Sequence, residues 1–337
     1  MSDNSSIVMP SMENLVVSSS PHYHSRMTVR GIMLLVVLAL LPAAGAGVCF
    51  FGLTALRVLL VCSVACVAIE AVCAKLLRKP LEIDDGSALV TGLLLGMNLP
   101  PTAPTWVCLL GSLIAIGLGK MLYGGIGCNP FNPALVGRVA LLVGLPGIMT
   151  HWKIPAGSVE ALSSATPLQL MGAGDMSKLE AIPYRDLFLG LHGGSIGETC
   201  ALAILIGGIF LIVLKIIRWQ IPVSYLLTVA VIAGIAHWAQ PEHYAPALFH
   251  LLTGGLLLGA FFMATDMVTT PLSRKGAVIF GIGCGLITSV IRLWGSYPEG
   301  VSFSILIMNS LTPLIDRYTA GKPFGTPGGR GLKSVHK

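Results

Sequence analysis

The chain has 337 residues, of which 54% are hydrophobic and 11% are charged, and its mean hydropathy is +0.82. A soluble domain carries about 25% charged residues, so this composition has too little charge to cover a surface that faces water. It excludes a soluble enzyme, a nucleic-acid-binding protein and a disordered scaffold, and it indicates an all-α polytopic membrane protein. The net charge of +6 bears on orientation, because lysine and arginine gather on the cytoplasmic side of membrane proteins.

Long apolar runs predict about ten transmembrane helices. A helix that crosses ~30 Å of hydrocarbon needs roughly 20 apolar residues. With that length as the criterion, the predicted segments are 30–50, 53–74, 87–100, 105–122, 130–147, 200–217, 222–239, 248–265, 276–293 and 301–315. The third and the tenth are short and contain Gly, Asn or Pro.

The basic residues predict that both termini are cytoplasmic. In that orientation 15 of the 21 lysines and arginines lie on the cytoplasmic side, five lie on the outer side and Arg138 lies within a span. The predicted organisation is a cytoplasmic N-terminal tail (1–28), a five-helix repeat (29–147), an outer loop (148–199), a second five-helix repeat (200–317) and a cytoplasmic C-terminal tail (318–337). In a Gram-negative host this membrane is the cell inner membrane, and the outer loop is periplasmic.

Two similar strings predict that the halves of the chain are copies of each other. Residues 89–96 read Leu-Val-Thr-Gly-Leu-Leu-Leu-Gly, and residues 251–259 read Leu-Leu-Thr-Gly-Gly-Leu-Leu-Leu-Gly. Because each copy has an odd number of spans, the copies have opposite orientations, which makes them two inverted five-helix repeats. Such repeats commonly place a site at their interface, near short or broken helices. The glycines also fit a simpler interpretation, which is close helix packing.

Few patterns point to an enzyme active site or a metal site. The sequence has no Walker A loop, no HExxH and no CxxC, and its cysteines are scattered. Cys62 and Cys66 form a single pair on one helix, so we interpret the cysteines as small packing residues and expect no metal site.

Charged residues within spans are functional candidates because burying them in a membrane is costly. Glu70 is expected to extend toward Lys75, and Arg138 needs an acidic or phosphate partner. Three further carboxylates are candidates for an ion path at the inner side of segments three and eight. They are Asp84, Asp85 and Asp266.

Four strings of mixed polarity remain. Residues 160–168 read Glu-Ala-Leu-Ser-Ser-Ala-Thr-Pro-Leu, which on spacing alone favours a helix start with Thr166 as the N-cap. Residues 127–138 contain Asn-Pro-Phe-Asn-Pro-Ala, in which Asn129 and Asn132 fit helix capping or binding of a polar ring edge. The other two strings are 82–92 and 264–271.

Together these strings resemble the family of membrane subunits that carry covalent FMN, namely the D subunit of the Rnf electron-transport complex and the B subunit of the sodium-pumping NADH:quinone oxidoreductase. The string at 160–168 is similar to the flavinylation motif Asp-x-x-Ser/Thr-Gly-Ala-Thr-x-Leu, with Glu160 in place of Asp and Ser164 in place of Gly. The resemblance spans roughly residues 20–318 and includes the ten-helix plan. The absence of a long N-terminal extension favours the Rnf protein.

The resemblance implies two flavins. A separate flavin transferase would esterify the Thr166 hydroxyl to the phosphate of FMN, and an asparagine pair would contact a non-covalent riboflavin or second FMN. The cofactor-binding residues implied in this way are Thr166, Ser163, Ser164, Ala165, Asn129 and Asn132. The implied partners are other subunits of the Rnf complex, including the G subunit with the second covalent FMN, and the ion Na⁺ or H⁺.

Two functions follow from these features. The first is a flavoprotein subunit of a redox-driven ion pump, which carries electrons between partner subunits and couples NADH and ferredoxin oxidoreduction to Na⁺ or H⁺ translocation. Such a protein is part of a translocase rather than a complete enzyme. The second is an inverted-repeat channel or transporter of the urea or ammonium type without a redox cofactor, in which Thr166 only caps a helix. The resemblance favours the first.

Overall fold

The computed structural model describes residues 27–79, 83–152, 166–172, 179, 182–295, 297 and 299–320. All regular secondary structure in these residues is helical. The first half contains α1 Val29–Phe51, α2 Leu53–Leu76, α3 Ser87–Met97, α4 Thr105–Leu113, α5 Pro133–Gly144 and α6 Pro146–Met149. The second half contains α7 Pro167–Gly172, α8 Tyr184–Leu189, α9 Ala201–Val213, α10 Gln220–Ala239, α11 Ala247–Leu252, α12 Leu256–Leu258, α13 Arg274–Trp294 and α14 Val301–Thr319.

Short irregular helices extend several of these elements. The π-helical turns Ile114–Leu118 and Gly259–Met263 continue α4 and α12, and 3₁₀ turns cover Ile83–Asp85 and Met121–Tyr123. Each of the ten predicted segments contains helix, which confirms the all-helical class. The inverted relation of the two halves and the cytoplasmic location of the termini stay predictions.

Among the described residues, five helices are long and apolar enough to cross a membrane by length and composition. They are Val29–Phe51, Leu53–Leu76, Thr105–Tyr123, Gln220–Ala239 and Arg274–Trp294. Ser87–Met97, Pro133–Gly144 and Ala201–Val213 are apolar but shorter. Short helices cannot cover the full hydrocarbon thickness alone, so polar groups at their ends need partners within the protein.

Glycines set the distance between neighbouring helices. A Cβ atom on Gly92 of α3 would lie 2.6 Å from Ser63 Cα and 2.7 Å from the Cys62 carbonyl oxygen of α2. Gly96, one turn further on, also faces α2, at Leu59. The simple interpretation of this glycine pair as a close-packing surface is therefore confirmed.

Segment eight is broken in the middle, unlike its counterpart α3. The helix α11 ends at Leu252, Thr253 is extended, and Gly254 and Gly255 have φ of 72° and 58° before α12 begins. Glycine adopts this left-handed backbone without the steric cost that a Cβ atom would add. The two similar strings thus fold differently, because the second contains an additional glycine.

The end of the predicted outer loop, at residues 194–199, is buried. Residues 194–199 lie in the protein interior, and the backbone N–H of Gly197 donates to the Met97 carbonyl oxygen at 2.7 Å. The Ile196 N–H donates to the Leu99 carbonyl oxygen at 3.4 Å. These bonds tie the loop to the C-terminal end of short helix α3 and bring Glu198 inside.

Candidate functional site

Thr166 begins the short helix α7 through a reciprocal capping arrangement. The Gln169 backbone N–H donates to Thr166 Oγ1 at 3.2 Å, and the Thr166 backbone N–H donates to Gln169 Oε1 at 2.9 Å. Pro167 occupies the first helical position, where a missing N–H costs nothing. The capping interpretation of the string is confirmed, and Thr166 is only 2% exposed. Ser163, Ser164 and Ala165 lie outside the described residues.

The helix α7 is docked on the break in segment eight. Leu168 is 1% exposed, and its side chain fills the space that a Cβ atom on Gly254 would need. The same position on Gly254 lies 2.6 Å from Arg292 Nη2. The Thr166 segment therefore lies against a pair of glycines that is held by a buried arginine.

Arg292 of α13 supplies the donors that the broken helix lacks. Its Nη1 donates to the His250 carbonyl oxygen at 2.7 Å, and its Nη2 donates to the carbonyl oxygens of Thr253 and Gly254 at 2.9 and 2.8 Å. The last carbonyl groups of a helix have no partner within it, and a membrane interior supplies no water in exchange. A guanidinium suits this position because its planar fork reaches several oxygens at once.

Arg138 of α5 has an acidic partner, as its position within a span predicted. Its guanidinium forms an ion pair with Glu299 and donates to Asn98 Oδ1. Glu198 lies close enough to interact electrostatically with both Arg138 and Arg292. Two buried positive charges are thus accompanied by two carboxylates, which is what a low-dielectric environment requires.

A second polar region surrounds a cavity at the other end of segment eight. Its open space totals about 770 Å³, part of which is continuous with solvent. The apolar walls include Phe261 and Phe262, and the polar residues that line the cavity are Ser87, Thr91, Lys120, Asn129, Asn132, Thr265 and Asp266. The structure therefore brings the predicted asparagines and Asp266 to one cavity.

The two asparagines at this cavity make local hydrogen bonds. Asn132 caps α5, because its Oδ1 accepts from the N–H groups of Ala134 and Leu135 at 3.0 and 3.4 Å. Its Nδ2 donates to the Met263 carbonyl oxygen at 3.2 Å. Asn129 Nδ2 donates to the Phe131 carbonyl oxygen at 3.0 Å. Capping by Asn132 is confirmed, and each amide nitrogen keeps a second N–H that could serve a ligand.

The prediction that Glu70 extends toward Lys75 is wrong. Glu70 is buried and pairs with Lys120, whose Nζ lies 2.5 Å from Glu70 Oε1, whereas Lys75 is exposed. Lys120 also donates to Ser87 Oγ at 2.6 Å, and Ser87 Oγ donates to Asp85 Oδ1 at 2.7 Å. Glu70 turns inward because that face of α2 packs on the π-helical turn after α4, which places Lys120 within reach.

The remaining ion-path candidates occupy the same side of the molecule. Asp84 is exposed and Asp85 is half-buried. Asp266 accepts from the Val268 N–H at 3.4 Å and from the Thr269 hydroxyl at 3.3 Å, so it stabilises the turn after segment eight. These contacts leave carboxylate oxygens able to accept further bonds.

Sequence reasoning missed several residues of the site. Glu198 and Glu299 lie in connections rather than spans, and no spacing relates them to Arg138. Trp152, at the edge of the predicted outer loop, is buried with its indole N–H unpartnered among the described residues. The available signal was a tryptophan next to a lysine at the edge of a predicted span, which is weak.

The chain was compared with known proteins. Residues 16–325 match the model of the family described as NQR2, RnfD, RnfE. The D subunit of the Na⁺-translocating ferredoxin:NAD⁺ oxidoreductase complex of Acetobacterium woodii is 47% identical, with 93% of this chain and 96% of that protein covered. The D subunit of the proton-translocating ferredoxin:NAD⁺ oxidoreductase complex of Clostridium ljungdahlii is also 47% identical, with 92% and 96% covered.

A third relative carries a more general description. The D subunit of the ion-translocating oxidoreductase complex of Stutzerimonas stutzeri is 45% identical, with 89% of this chain and 93% of that protein covered. These matches extend over nearly the whole length of each relative and confirm the resemblance seen in the four strings.

Proposed function

The chain belongs to the NQR2, RnfD, RnfE family, and from that premise we propose that it is the multi-pass D subunit of an Rnf-type complex that couples ferredoxin and NAD⁺ oxidoreduction to ion translocation. The observation that carries the proposal is the family match over residues 16–325, together with a Thr166 segment that docks on a broken apolar helix. The complex would lie in the cell inner membrane, with this chain as one part of the translocase.

We further propose that Thr166 carries FMN through a phosphoester. Among the described residues the Thr166 hydroxyl oxygen only accepts a hydrogen bond, so esterification would remove a proton that no described group uses. The Gln169 N–H can still donate to an ester oxygen, and the capping arrangement would remain. Because Thr166 is 2% exposed, attachment would require α7 to be undocked. The residues present therefore fit the group.

Bound at this position, the flavin would supply the one-electron chemistry that side chains lack. The contribution of the chain would be to fix the tether and to exclude water. Gln169 holds both the backbone and the side chain of Thr166, and Leu168 anchors α7 against Gly254. The buried charges of Arg138 and Arg292 set the electrostatic environment beside the tether.

The cavity around Asn129 and Asn132 is the proposed site of the second, non-covalent flavin. Its apolar walls suit an isoalloxazine ring, and the free amide N–H groups could donate to the polar edge of that ring. Lys120, which is paired with Glu70, and Asp266 line the same cavity and would add polar contacts beside the ring.

The translocated ion would approach near Asp84, Asp85 and Asp266 on the same side of the molecule. Two relatives at 47% identity are described as Na⁺-translocating and proton-translocating, so overall similarity does not choose the ion. The selectivity would depend on local oxygen ligands, since Na⁺ needs several of them and a proton needs one acceptor.

The tether is tested on the chain produced together with a flavin transferase. After denaturing electrophoresis the wild-type chain should give a fluorescent band, and Thr166→Ala should give none. Thr150→Ala is the matched control, because Thr150 is an exposed threonine near the predicted outer loop whose hydroxyl donates to the Pro146 carbonyl oxygen. An unmodified Thr166 peptide from such cells would overturn the proposal and leave a colourless transporter as the better interpretation.

The second flavin is tested by measuring the flavin that denaturation releases from the intact complex. Asn129→Ala should lower the amount released, whereas Gln240→Ala, at an exposed position, should leave it unchanged. Equal release from both variants would remove Asn129 from the site.

A further inference from the structure

A separate pocket lies between two connections of the second half. One connection, residues 214–219, joins α9 to α10, and the other, residues 264–273, joins segment eight to α13. The open space of the pocket totals about 660 Å³, part of it continuous with solvent, so it has room for a ligand much larger than a water molecule. Its apolar walls are formed by Ile216, Ile217, Ile221, Met267, Pro271 and Leu272.

Arg218 is the charged residue that lines this pocket, and it ties the two connections together. Its Nη1 donates to the carbonyl oxygens of Pro271 and Leu272 at 2.9 and 2.6 Å. A guanidinium has five N–H donors, of which Nη1 supplies two, so the donors on Nη2 and Nε remain for a ligand. The pocket therefore combines apolar walls with a cation whose position is fixed.

The charges around the pocket favour an anion. Four basic side chains lie on the two connections or within two residues of them, namely Lys215, Arg218, Arg274 and Lys275, and all four are exposed. The carboxylates nearby are those of Asp266 and Asp316, and both already accept hydrogen bonds from backbone N–H groups. The excess of positive charge attracts an anionic group to the mouth of the pocket.

Aromatic residues place the pocket at the level of lipid headgroups. Trp219, next to Arg218, is 55% exposed, and Tyr318, near the end of α14, is 80% exposed. The end of α14 reaches the second connection, because Ser273 Oγ donates to Thr319 Oγ1 at 2.7 Å. Tryptophan and tyrosine are enriched where a membrane meets water, so a ligand in this pocket would have one end in lipid and one end in water.

We propose that this pocket binds an anionic phospholipid, with the phosphate on Arg218 and Lys215 and part of an acyl chain against the isoleucines. Arginine binds phosphate well because its fork matches the spacing of phosphate oxygens, and basic pockets between membrane helices are known to bind anionic headgroups. A free inorganic anion would leave the apolar walls unused. A zwitterionic lipid would bring a positive group to a site that is already positive.

This inference does not rest on either proposed flavin, but it bears on the second one. Ile216, Ile217, Thr265 and Met267 line both this pocket and the cavity around Asn129 and Asn132. A lipid held by Arg218 would therefore support the wall that the two spaces share.

Native mass spectrometry of the purified chain tests the site, with phosphatidylglycerol as the anionic probe and phosphatidylcholine as the zwitterionic one. The wild type should bind one phosphatidylglycerol in preference to phosphatidylcholine. The double variant Lys215→Gln/Arg218→Gln should bind phosphatidylglycerol roughly tenfold more weakly, since each basic residue near a membrane surface contributes to the attraction of anionic lipid. Arg30→Gln/Lys75→Gln is the matched control, because it removes one arginine and one lysine at exposed positions elsewhere and should bind as the wild type does.

A second variant separates lipid binding from folding. Arg218→Gln also removes two bonds to carbonyl oxygens, whereas Lys215→Gln leaves those bonds in place. Lys215→Gln alone should weaken phosphatidylglycerol binding severalfold and leave the melting temperature without added lipid unchanged.

Three results would overturn the proposal. Equal phosphatidylglycerol binding by the pocket and control double variants would remove the pocket as the site. Equal binding of the two lipids by the wild type would show that the basic residues do not recognise a headgroup. A rise in melting temperature with inorganic phosphate as large as that with phosphatidylglycerol would replace the lipid by a free anion.

Discussion

Arg292 shows what one residue contributes to a broken helix. Its guanidinium bonds three carbonyl oxygens, at 2.7, 2.9 and 2.8 Å, that would otherwise be buried without donors. Arg292→Lys keeps the charge but loses the planar fork, so at least one carbonyl should lose its partner. We expect the free energy of unfolding to fall by about 2–3 kcal/mol, since hydrogen bonds to charged groups contribute about 1.5–3 kcal/mol each.

Thermal unfolding of the purified chain in detergent measures this effect. Arg274→Lys is the control, because Arg274 is exposed at the start of the same helix and should leave the melting temperature nearly unchanged. Equal melting temperatures for the two variants would mean that Arg292 does not stabilise the helix break.

The Glu70–Lys120 pair leads to a second prediction at the scale of residues. Both side chains are buried, and Lys120 Nζ lies 2.5 Å from Glu70 Oε1. Lys120→Met would leave a buried carboxylate without its cation, which typically costs about 3–5 kcal/mol. Adding Glu70→Gln should recover much of that loss, because an uncharged pair no longer needs compensation.

Unfolding of the two single variants and the double variant completes a double-mutant cycle. The cycle gives the interaction free energy between Glu70 and Lys120. Lys75→Met, at an exposed position on the same side, should cost under about 1 kcal/mol. Additive losses in the cycle would show that the two side chains do not interact.

At the scale of elements, the break in segment eight positions α7 and with it Thr166. Gly254 has φ of 72°, and a Cβ atom there would meet Leu168 and Arg292. Gly254→Ala should therefore lower stability by at least about 2 kcal/mol, from the left-handed backbone and from the clash. It should also release α7, which increased hydrogen exchange over residues 166–172 would report.

Gly234→Ala is the control for this change. Gly234 lies within α10 with no heavy atom near the position of an added Cβ, and alanine favours a helix. That variant should be neutral or slightly more stable. Unchanged exchange over residues 166–172 in Gly254→Ala would show that α7 does not depend on the break.

The sequence predicted elements better than it predicted contacts. Each of the ten apolar segments contains helix, and five helices in the described residues are long and apolar enough to span a membrane, because such a helix is specified by composition over about 20 residues. The cap at Thr166 was also predictable, since its partner Gln169 is three residues away. Pairs such as Glu70–Lys120 and Arg138–Glu299 were not, because they are 50 and 161 residues apart and depend on how helices pack.

At the scale of the whole molecule, one chain of contacts joins the two polar regions. Arg138 donates to Asn98 Oδ1, and Asn98 Nδ2 lies 3.7 Å from Met263 Sδ. The Met263 carbonyl oxygen accepts from Asn132 Nδ2 at 3.2 Å. Arg138 and the cavity around Asn132 are therefore connected by direct contacts through the second part of segment eight.

The predicted orientation assigns these regions to opposite sides of the membrane, and exposed cysteines can test it. Cys128 is exposed beside the cavity region, on the side where most basic residues and both termini are predicted. A membrane-impermeant maleimide should label Cys128 in inverted vesicles but not in intact spheroplasts, and Ser5→Cys in the N-terminal tail should behave in the same way. Cys128→Ser supplies the background. Labelling of either site in sealed spheroplasts would reverse the predicted orientation and place Thr166 on the cytoplasmic side.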